Sequence, residues 1–481
     1  MKRLLCAALA AALVLPLFAF AGCGGEEAPR DLYQIDAEYR DGVLAAEMRF
    51  TFYNDTGGAL GTLEFNLFGN AYREDSVYSP VSPSLTAAAY YAGESFGSMT
   101  VSDVSPCKSW EVCGADENIL RVELAESVSA GERAEITVSY TLTLAKVSHR
   151  TGITEHAVNL GNFYPILCVY EDGAFYECEY YSDGDPFYSE CADYAVTLRT
   201  DGGYTVASSG RILSAEQDGR DTVYEMELSG ARDFALVLGK EFSVAQGESG
   251  GVQVMYYYYD DDSPQERLEL IEDCLGYFSE TFGDYAYPTY SAVQTGFCVG
   301  GMEYPALTMI GDRLAGAERD YVIVHETAHQ WWYAAVGNNQ LEDAWLDEGL
   351  AEYSAALYYE ARPGYGVTME SRVRAAENAY KALYGVHEQI FGTADTSMDK
   401  KLGEYLSEYS YVVIAYDKGF LLFDALRSAA GDKKFFAGLK RYYEEKSGKI
   451  ASQEDLAESF RRAGLRAEGV IASFVDGTAV I

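Results

Sequence analysis

The pattern of hydrophobic and polar positions divides the chain into a strand-rich first half and a helix-rich second half. From about Asp31 to Val244, apolar and polar residues alternate with a period of two, clearly so over 37–40 and 135–140, and Gly, Asn and Asp turns separate such runs. A period of two places successive side chains on opposite faces of a strand. We therefore expect an all-β domain in this part of the chain.

The pattern changes after a polar, glycine-rich segment over 245–251, which we interpret as the connector between two domains. One more strand is expected over 252–259. Ser263, Pro264 and Glu266 then predict the start of a helix, because they form a capping box with proline at the first helical position. An apolar stripe at helical spacing follows, formed by Leu268, Ile271, Leu275 and Phe278. Since most later segments also predict helices, the fold class is α+β with more than one domain.

The first 22 residues have the three-part layout of an export signal. Two basic residues, Lys2 and Arg3, precede an apolar run over 4–20, and small residues follow that run. The run is short for a membrane span and contains Pro16, which favours a cleaved signal over an uncleaved anchor. We therefore predict that the protein is exported and that residues 1–22 are its signal peptide.

Two cleavage modes compete at the end of this signal. Residues 19–21 fit an ordinary signal-peptidase site, whereas the three residues that end at Cys23 resemble the lipid-attachment signal of bacterial lipoproteins. The polar residues over 24–27 suit a tether, which favours the second mode. We predict lipidation of Cys23, a tether over 23–30 and a protein anchored to the cell membrane on its outer side, with free secretion as the alternative.

Charge and cysteine usage exclude some functions. Asp and Glu number 75 against 36 Lys and Arg, a net charge of -39. A surface this acidic repels phosphates, so we expect no nucleic acid partner. Beyond Cys6 and Cys23 the spacings of the cysteines match no metal-binding pattern, although Cys107 and Cys113 could close a short loop.

Candidate metal chemistry is concentrated in the segment His325-Glu326-Thr327-Ala328-His329. Histidines four residues apart lie on one face of a helix, so both imidazoles can bind one ion. Glu326 lies beside them, where it can accept a proton from a water on that ion. Asp320 can cap the helix, and 337–338 (Gly-Asn) can end it. Because the whole chain has 5 histidines, this arrangement is unlikely to arise by chance.

Glu348 supplies the third predicted ligand. It follows His329 after eighteen intervening residues and lies near the start of a second helix, which we expect to reach about Ala361 and stop at Pro363. A helix, a loop and a returning helix can bring the three residues together around one Zn²⁺ per chain. Glu352, one turn further along, either orients a ligand histidine or lies exposed.

These motifs resemble the aminopeptidase-N-type gluzincins, a family that includes leukotriene-hydrolase relatives. The likeness covers 325–329, the eighteen-residue gap and 345–349 (Trp-Leu-Asp-Glu-Gly). Upstream, 300–305 (Gly-Gly-Met-Glu-Tyr-Pro) resembles the family's exopeptidase motif. Downstream, 416–419 (Tyr-Asp-Lys-Gly) resembles its Y-x-K-G segment, and 232–235 (Arg-Asp-Phe-Ala) resembles a segment near the end of its β domain.

The resemblance implies a zinc-dependent aminopeptidase that acts on peptides with free N-termini. It implies an N-terminal, saddle-like all-β domain over 31–248 and a thermolysin-like, mainly helical catalytic domain over 249–481. The residue roles that it implies are zinc binding by His325, His329 and Glu348, proton transfer by Glu326, a hydrogen bond to the reacting carbonyl from Tyr416, and binding of the substrate N-terminus by Gly301, Met302 and Glu303.

The chain departs from the family pattern at several points. Tyr304 stands where many members have Asn, and we expect it to reshape the pocket for the first side chain. No β-domain residue is identified as the family's second amine-binding group. The chain ends about 65 residues after Tyr416, so we do not expect the helical C-terminal domain that many members carry. Two alternatives stay open: a zinc endopeptidase with the same chemistry, and an exported peptide-binding lipoprotein without catalysis.

Overall fold

The computed structural model describes residues 29–479 and 481. The predicted signal peptide and Cys23 lie outside these described residues. Within the described ranges, no helix combines the length and the apolar character that crossing a membrane requires.

The first part of the described chain is built almost entirely from strands. In chain order these are β1 (Leu32–Arg40), β2 (Val43–Tyr53), β3 (Leu60–Asn66), β4 (Ser98–Ser105), β5 (Cys107–Cys113), β6 (Ile119–Val128), β7 (Arg133–Thr143), β8 (Thr151–Ile153), β9 (Ala157–Leu160), β10 (Ile166–Leu167), β11 (Tyr170–Glu171), β12 (Ala174–Phe175), β13 (Ala192–Asp201), β14 (Thr205–Ser208), β15 (Arg211–Asp218), β16 (Asp221–Ala231) and β17 (Leu236–Gly239). One short helix, α1 (Thr86–Ala89), and a 3₁₀ turn, Phe68–Tyr72, interrupt them.

Most of these strands form three sheets. The largest has the order β15-β16-β13-β1-β2-β7-β4, and two four-stranded sheets have the orders β10-β3-β6-β5 and β14-β17-β9-β8. Alternate residues of β1 are buried, including Tyr33, Ile35, Ala37 and Tyr39, as the period-two pattern predicts. The buried faces of these three sheets belong to one continuous apolar core that extends into the second half of the chain.

The second part combines a mixed sheet with helices. Its strands are β18 (Ser243–Ser249), β19 (Val252–Tyr258), β20 (Thr289–Thr295), β21 (Gly301–Met302), β22 (Leu307–Gly311), β23 (Val336–Gly337) and β24 (Lys449–Ile450). Its helices are α2 (Pro264–Phe282), α3 (Gly316–Ala328), α4 (Trp345–Glu360), α5 (Met369–Phe391), α6 (Glu408–Val412), α7 (Gly419–Ala430), α8 (Asp432–Lys446), α9 (Gln453–Arg462) and α10 (Glu468–Val475). The predicted fold class, a strand-rich region followed by a mainly helical one, is confirmed.

The segment expected to be a connector is part of a hairpin instead. Residues 245–249 lie in β18, and 250–251 form the turn to β19, with Ser249 opposite Val252. Both turn glycines have positive φ values, which glycine adopts without strain. These two strands belong to a five-stranded sheet with the order β18-β19-β20-β22-β21. This sheet begins at Ser243, before the predicted boundary at 248/249. That boundary stays a prediction.

The helix that carries the histidine pair differs from the expectation at both ends. It begins at Gly316, four residues before Asp320, whose carboxylate forms an ion pair with Arg267 rather than a cap. It ends at Ala328, with His329 as the C-terminal cap residue, and not at Gly337. The aromatic residues 331–333, which follow this end, are buried in the core.

The cysteines of the described residues are all free thiols. Cys107 and Cys113 stand at the two ends of β5. Six strand residues span about 20 Å, far beyond the reach of a disulfide. The loop closure considered from their spacing is therefore wrong.

Candidate active site

Helices α3 and α4 bring the three predicted metal ligands together. His325 Nε2 and His329 Nε2 are 3.0 Å apart, and they lie 3.3 and 3.2 Å from Glu348 Oε2. All three side chains are buried, and their ligand atoms lie within 4.8 Å of one another. Two imidazole nitrogens and a carboxylate oxygen are the donor set of catalytic zinc sites. The residues therefore fit Zn²⁺.

The second nitrogen of each histidine also has a partner. His329 Nδ1 lies 2.9 Å from the Trp332 carbonyl oxygen, and His325 Nδ1 lies 3.8 Å from Glu352 Oε2. Such partners fix the ring orientation and leave Nε2 for the metal. Glu352 also accepts hydrogen bonds from Tyr321 and, at 3.1 Å, from Arg372. Of the two alternatives for Glu352, the position beside His325 is the one observed.

A second group of potential ligands, Glu303, His329 and Asp347, also lies within 4.8 Å. The oxygens of Asp347 already accept hydrogen bonds from Asn338 at 3.1 Å and from Gln340 at 2.7 Å. Gln340 donates a further bond of 3.0 Å to Glu303 Oε1. These carboxylates are therefore held as hydrogen-bond acceptors, and the first group is the better metal site.

Glu326 lies next to the histidine pair with one carboxylate oxygen unpaired. Its Oε2 is buried and has no hydrogen-bond partner among the described residues. Burial raises the pKa of Glu326 to about 7, while His325 and His329 act in the opposite direction. The carboxylate packs against Gly301, where a Cβ atom would overlap it. An unpaired carboxylate with a raised pKa suits proton transfer.

Tyr416 contacts two of the candidate metal ligands, Glu348 and His325. It lies in a π-helix, Val413–Lys418, and its hydroxyl donates a 2.6 Å hydrogen bond to Glu348 Oε1. Its ring is stacked on that of His325, with 5.9 Å between centroids and 13° between planes. Burial and then Glu348 raise the pKa of Tyr416 well above its usual value, so the phenol keeps its proton. A π-helix at this position is typical of functional sites.

Glu303 is a buried side chain in the lining of the cleft. Burial raises the pKa of Glu303 well above its usual value, and the charge of Asp185 adds to this effect. Met302, its neighbour in the motif, is fully buried, and its Sδ accepts a 3.2 Å hydrogen bond from Arg150 Nε. Gly301 and Glu303 therefore line the same cleft as the metal ligands, whereas Met302 is not among the residues that line it.

The β domain contributes residues that the sequence analysis did not identify. Arg150 and Asp185 form a buried ion pair, and the Arg150 guanidinium also donates to the Gly184 carbonyl at 3.1 Å. Both side chains line the cleft with Glu303 and the metal ligands. Neither residue belongs to a local motif, and both lie near Glu303 and the metal ligands only because the two domains pack against each other.

Tyr304 does not line the cleft. Its hydroxyl donates a 2.8 Å hydrogen bond to Asn162 Oδ1, and Asn162 in turn donates to Asp233 Oδ2 at 2.7 Å. The ring is fully buried against Gly161, where a Cβ atom would overlap its hydroxyl. The expectation that Tyr304 reshapes the pocket for the first side chain is therefore wrong, because its side chain points toward the β domain.

Comparisons with known proteins agree with this site. Residues 266–477 match the peptidase family M1 domain. Leukotriene A-4 hydrolase of Xenopus laevis is 29% identical over 184 residues, which are 36% of this chain and 28% of that protein. Aminopeptidase B of Homo sapiens is 28% identical over 193 residues, covering 38% and 29%. Aminopeptidase N of Streptomyces lividans is 26% identical over 279 residues, covering 52% and 31%.

The chain thus spans less than a third of the length of these relatives. Among solved structures, an M1 zinc metallopeptidase from Deinococcus radiodurans has a TM-score of 0.65 at 16% identity, covering 94% of both chains. A variant of that protein bound to a Tyr-Ser-Ala substrate has a TM-score of 0.65 at 17% identity, covering 94% of this chain and 95% of that one. At this identity the likeness shows the fold. The part of the chain that matches the peptidase family M1 domain, residues 266–477, holds all three candidate zinc ligands.

Proposed function

We propose that this protein is a zinc-dependent aminopeptidase that removes N-terminal residues from peptides. The observation that carries the proposal is the position of Glu303, a buried carboxylate in the same cleft as His325, His329 and Glu348. A hydrolytic zinc site alone fits many substrates. A buried carboxylate in the same cleft selects substrates with a positive charge next to the bond that is cleaved.

The charges around Glu303 support a cationic ligand. Burial and the nearby carboxylate of Asp185 both make its ionised form costly. A peptide ammonium bound there would relieve this repulsion and form charge-assisted hydrogen bonds. With its amine at Glu303, a peptide places its first amide bond beside the histidine pair.

Zinc, when bound, polarises the substrate carbonyl and lowers the pKa of a bound water. In the proposed mechanism Glu326 accepts the proton of the attacking water and later transfers it to the leaving amine. Because Gly301 has no side chain, the Glu326 carboxylate can occupy the space beside it. The Tyr416 hydroxyl donates a hydrogen bond to the carbonyl oxygen as negative charge develops there, and Glu352 and the Trp332 carbonyl hold the ligand histidines in place.

The test is a panel of aminoacyl fluorogenic amides with N-acetylated counterparts, assayed with the wild type and two isosteric variants. The wild type should cleave only the free amines. Glu326→Gln should lower kcat by at least about 1,000-fold with zinc content unchanged. Glu303→Gln should lower kcat/KM for free amines by about 10–100-fold. Equal cleavage of free and acetylated substrates would indicate an endopeptidase, and zinc-free protein that binds peptides without turnover would indicate the inactive lipoprotein.

Export and lipid attachment at Cys23 are part of the same proposal. They are supported by the apolar run over 4–20 and the polar residues over 24–27. Cells that express the protein should incorporate labelled fatty acid into it, and Cys23→Ala should abolish the label and release the protein from the membrane fraction. An unlabelled wild type in the medium would support free secretion instead.

A further inference from the structure

Lys418 is a fully buried cation that the proposed chemistry does not use. Its Nζ donates hydrogen bonds to the carbonyl oxygens of Thr396 and Phe474, both at 2.5 Å. Its ammonium also lies 5.9 Å from the centre of the Phe474 ring. A lysine is rarely buried so completely, because the ammonium loses its hydration. Its retention in the core therefore requires a specific reason.

The two carbonyl groups belong to segments that are distant in sequence. Thr396 follows α5, and Phe474 lies in the last turn of α10. The two segments also bind each other, since Ser397 Oγ donates to the Val475 carbonyl at 2.9 Å and Met398 N donates to it at 2.7 Å. Lys418 therefore joins a third segment, the π-helix, to a pair that is already connected.

The π-helix is the element that carries Tyr416, two residues before Lys418. A π-helix is less stable than an α-helix, so its exact geometry depends on contacts made outside it. We infer that Lys418 is a positioning residue for Tyr416: its ammonium fixes the π-helix to the segments at Thr396 and Phe474, and so holds the tyrosine hydroxyl at the cleft. This inference rests on the proposed function, in which that hydroxyl binds the reacting carbonyl.

The charge of Lys418 is part of this role. Backbone carbonyls bind an ammonium more strongly than a neutral donor, so the bonds to Thr396 and Phe474 resist displacement. Burial and then Lys400 lower the pKa of Lys418 to about 8, and Asp476 and Asp395 oppose this effect only partly. The side chain is thus charged at neutral pH.

The first experiment compares Lys418→Met with a matched control, Lys434→Met. Lys434 is an exposed lysine that also donates to a backbone carbonyl, that of Gly464 at 3.0 Å. Lys418→Met should lower kcat about tenfold or more and leave KM within about twofold, with one zinc per chain, since a misplaced donor weakens only the transition state. Lys434→Met should leave both constants unchanged.

The second experiment separates positioning from general damage by adding Tyr416→Phe. If Lys418 acts through the tyrosine hydroxyl, Lys418→Met should lower kcat by less than about twofold in the Tyr416→Phe background. An equal loss in both backgrounds would overturn the inference. Lys418→Gln, which keeps two N–H donors without the charge, serves if the methionine variant does not fold. It should likewise lower kcat in the wild-type background and by less than about twofold in the Tyr416→Phe background, and an equal loss in both backgrounds would overturn the inference.

A third measurement does not depend on turnover. Hydrogen–deuterium exchange over 413–419 should be faster in Lys418→Met than in the wild type, with little change over α3. Unchanged exchange in this segment would overturn the inference. If the wild type cleaves no aminoacyl amide, the proposed function fails, and exchange alone still decides whether Lys418 fixes the π-helix.

Discussion

A single missing methyl group at Gly301 gives the Glu326 carboxylate its place in the cleft. The Cβ atom of an alanine there would overlap the Glu326 side chain, whose Oε1, Cδ and Cγ atoms would lie 2.4 to 2.6 Å away. We predict that Gly301→Ala displaces the carboxylate and lowers kcat by about 100-fold, the loss typical of a misplaced catalytic group. Steady-state kinetics with zinc analysis should show the loss at normal zinc content.

Gly300→Ala is the matched control. The Cβ atom of an alanine at position 300 would contact only Val322, at 3.5 Å, which is ordinary van der Waals contact. This variant should keep wild-type kcat. Comparable losses in the two alanine variants would contradict a specific role for Gly301.

At the same scale, the sequence predicts the residues whose relation is local and misses those joined only by folding. His325 and His329 are one helical turn apart, so their shared face follows from spacing alone. Arg150 and Asp185 carry no such signal, because they meet Glu303 only where the β domain packs on the second sheet. The positions of Gly301, Met302 and Tyr416 followed from a family resemblance, and their contacts required the structure.

At the scale of secondary structure, two glycines determine how closely two helices approach. A Cβ atom added at Gly349 in α4 would lie 2.6 Å from Gly419 Cα at the start of α7. This crossing brings Glu348 in α4 next to Tyr416. We predict that Gly349→Ala separates the helices, destabilises the protein by about 1–3 kcal/mol and weakens zinc binding. Thermal unfolding and zinc titration of the apo-protein measure the two effects.

Gly385→Ala provides the control within another helix of the same domain. Gly385 lies in α5, and a Cβ atom added there would have no neighbour within 4 Å. Because alanine is the better helix former, this variant should be more stable by about 0.5–1 kcal/mol. Loss of stability in Gly385→Ala as large as in Gly349→Ala would contradict the steric argument.

The predicted helices and strands agree with the structure where local spacing determines them and differ where tertiary contacts do. The apolar stripe of α2 is buried as predicted, since its spacing records which face meets the core. The predicted end of α3 lies nine residues too far along the chain, because no glycine or proline between Ala328 and Gly337 marks the observed end. The sequence of β18 resembles a connector because this strand is polar and partly exposed at a sheet edge.

At the scale of the whole molecule, Arg232 connects the two domains. Its buried guanidinium donates to the carbonyls of Ser189, Ala334, Ala335 and Lys449, at 2.9 to 3.3 Å. It occupies the space beside Gly337 that a side chain would fill. We predict that Arg232→Met leaves buried carbonyls unpaired and lowers the free energy of unfolding by about 2–4 kcal/mol. Chemical denaturation monitored by fluorescence and circular dichroism measures the change.

Arg199→Met is the control for this substitution. Arg199 lies on β13 and pairs with Asp218 and Asp221 at the surface, so its removal should barely move the denaturation midpoint. Equal midpoints for the Arg232 and Arg199 variants would show that the interdomain bonds contribute little.

The contact between Arg150 and Met302 has a consequence for how such a protein can be altered or recombined. One wall of the cleft belongs to the β domain, and its guanidinium bonds directly to the residue before Glu303. A hybrid that joins the second half of this chain to the β domain of a distant relative would retain every zinc ligand. It would nevertheless lose the matched wall, because Arg150, Asp185 and Gly184 came from the discarded half. The two halves are therefore not interchangeable modules, and substitutions along this wall must be made in pairs across the domain boundary.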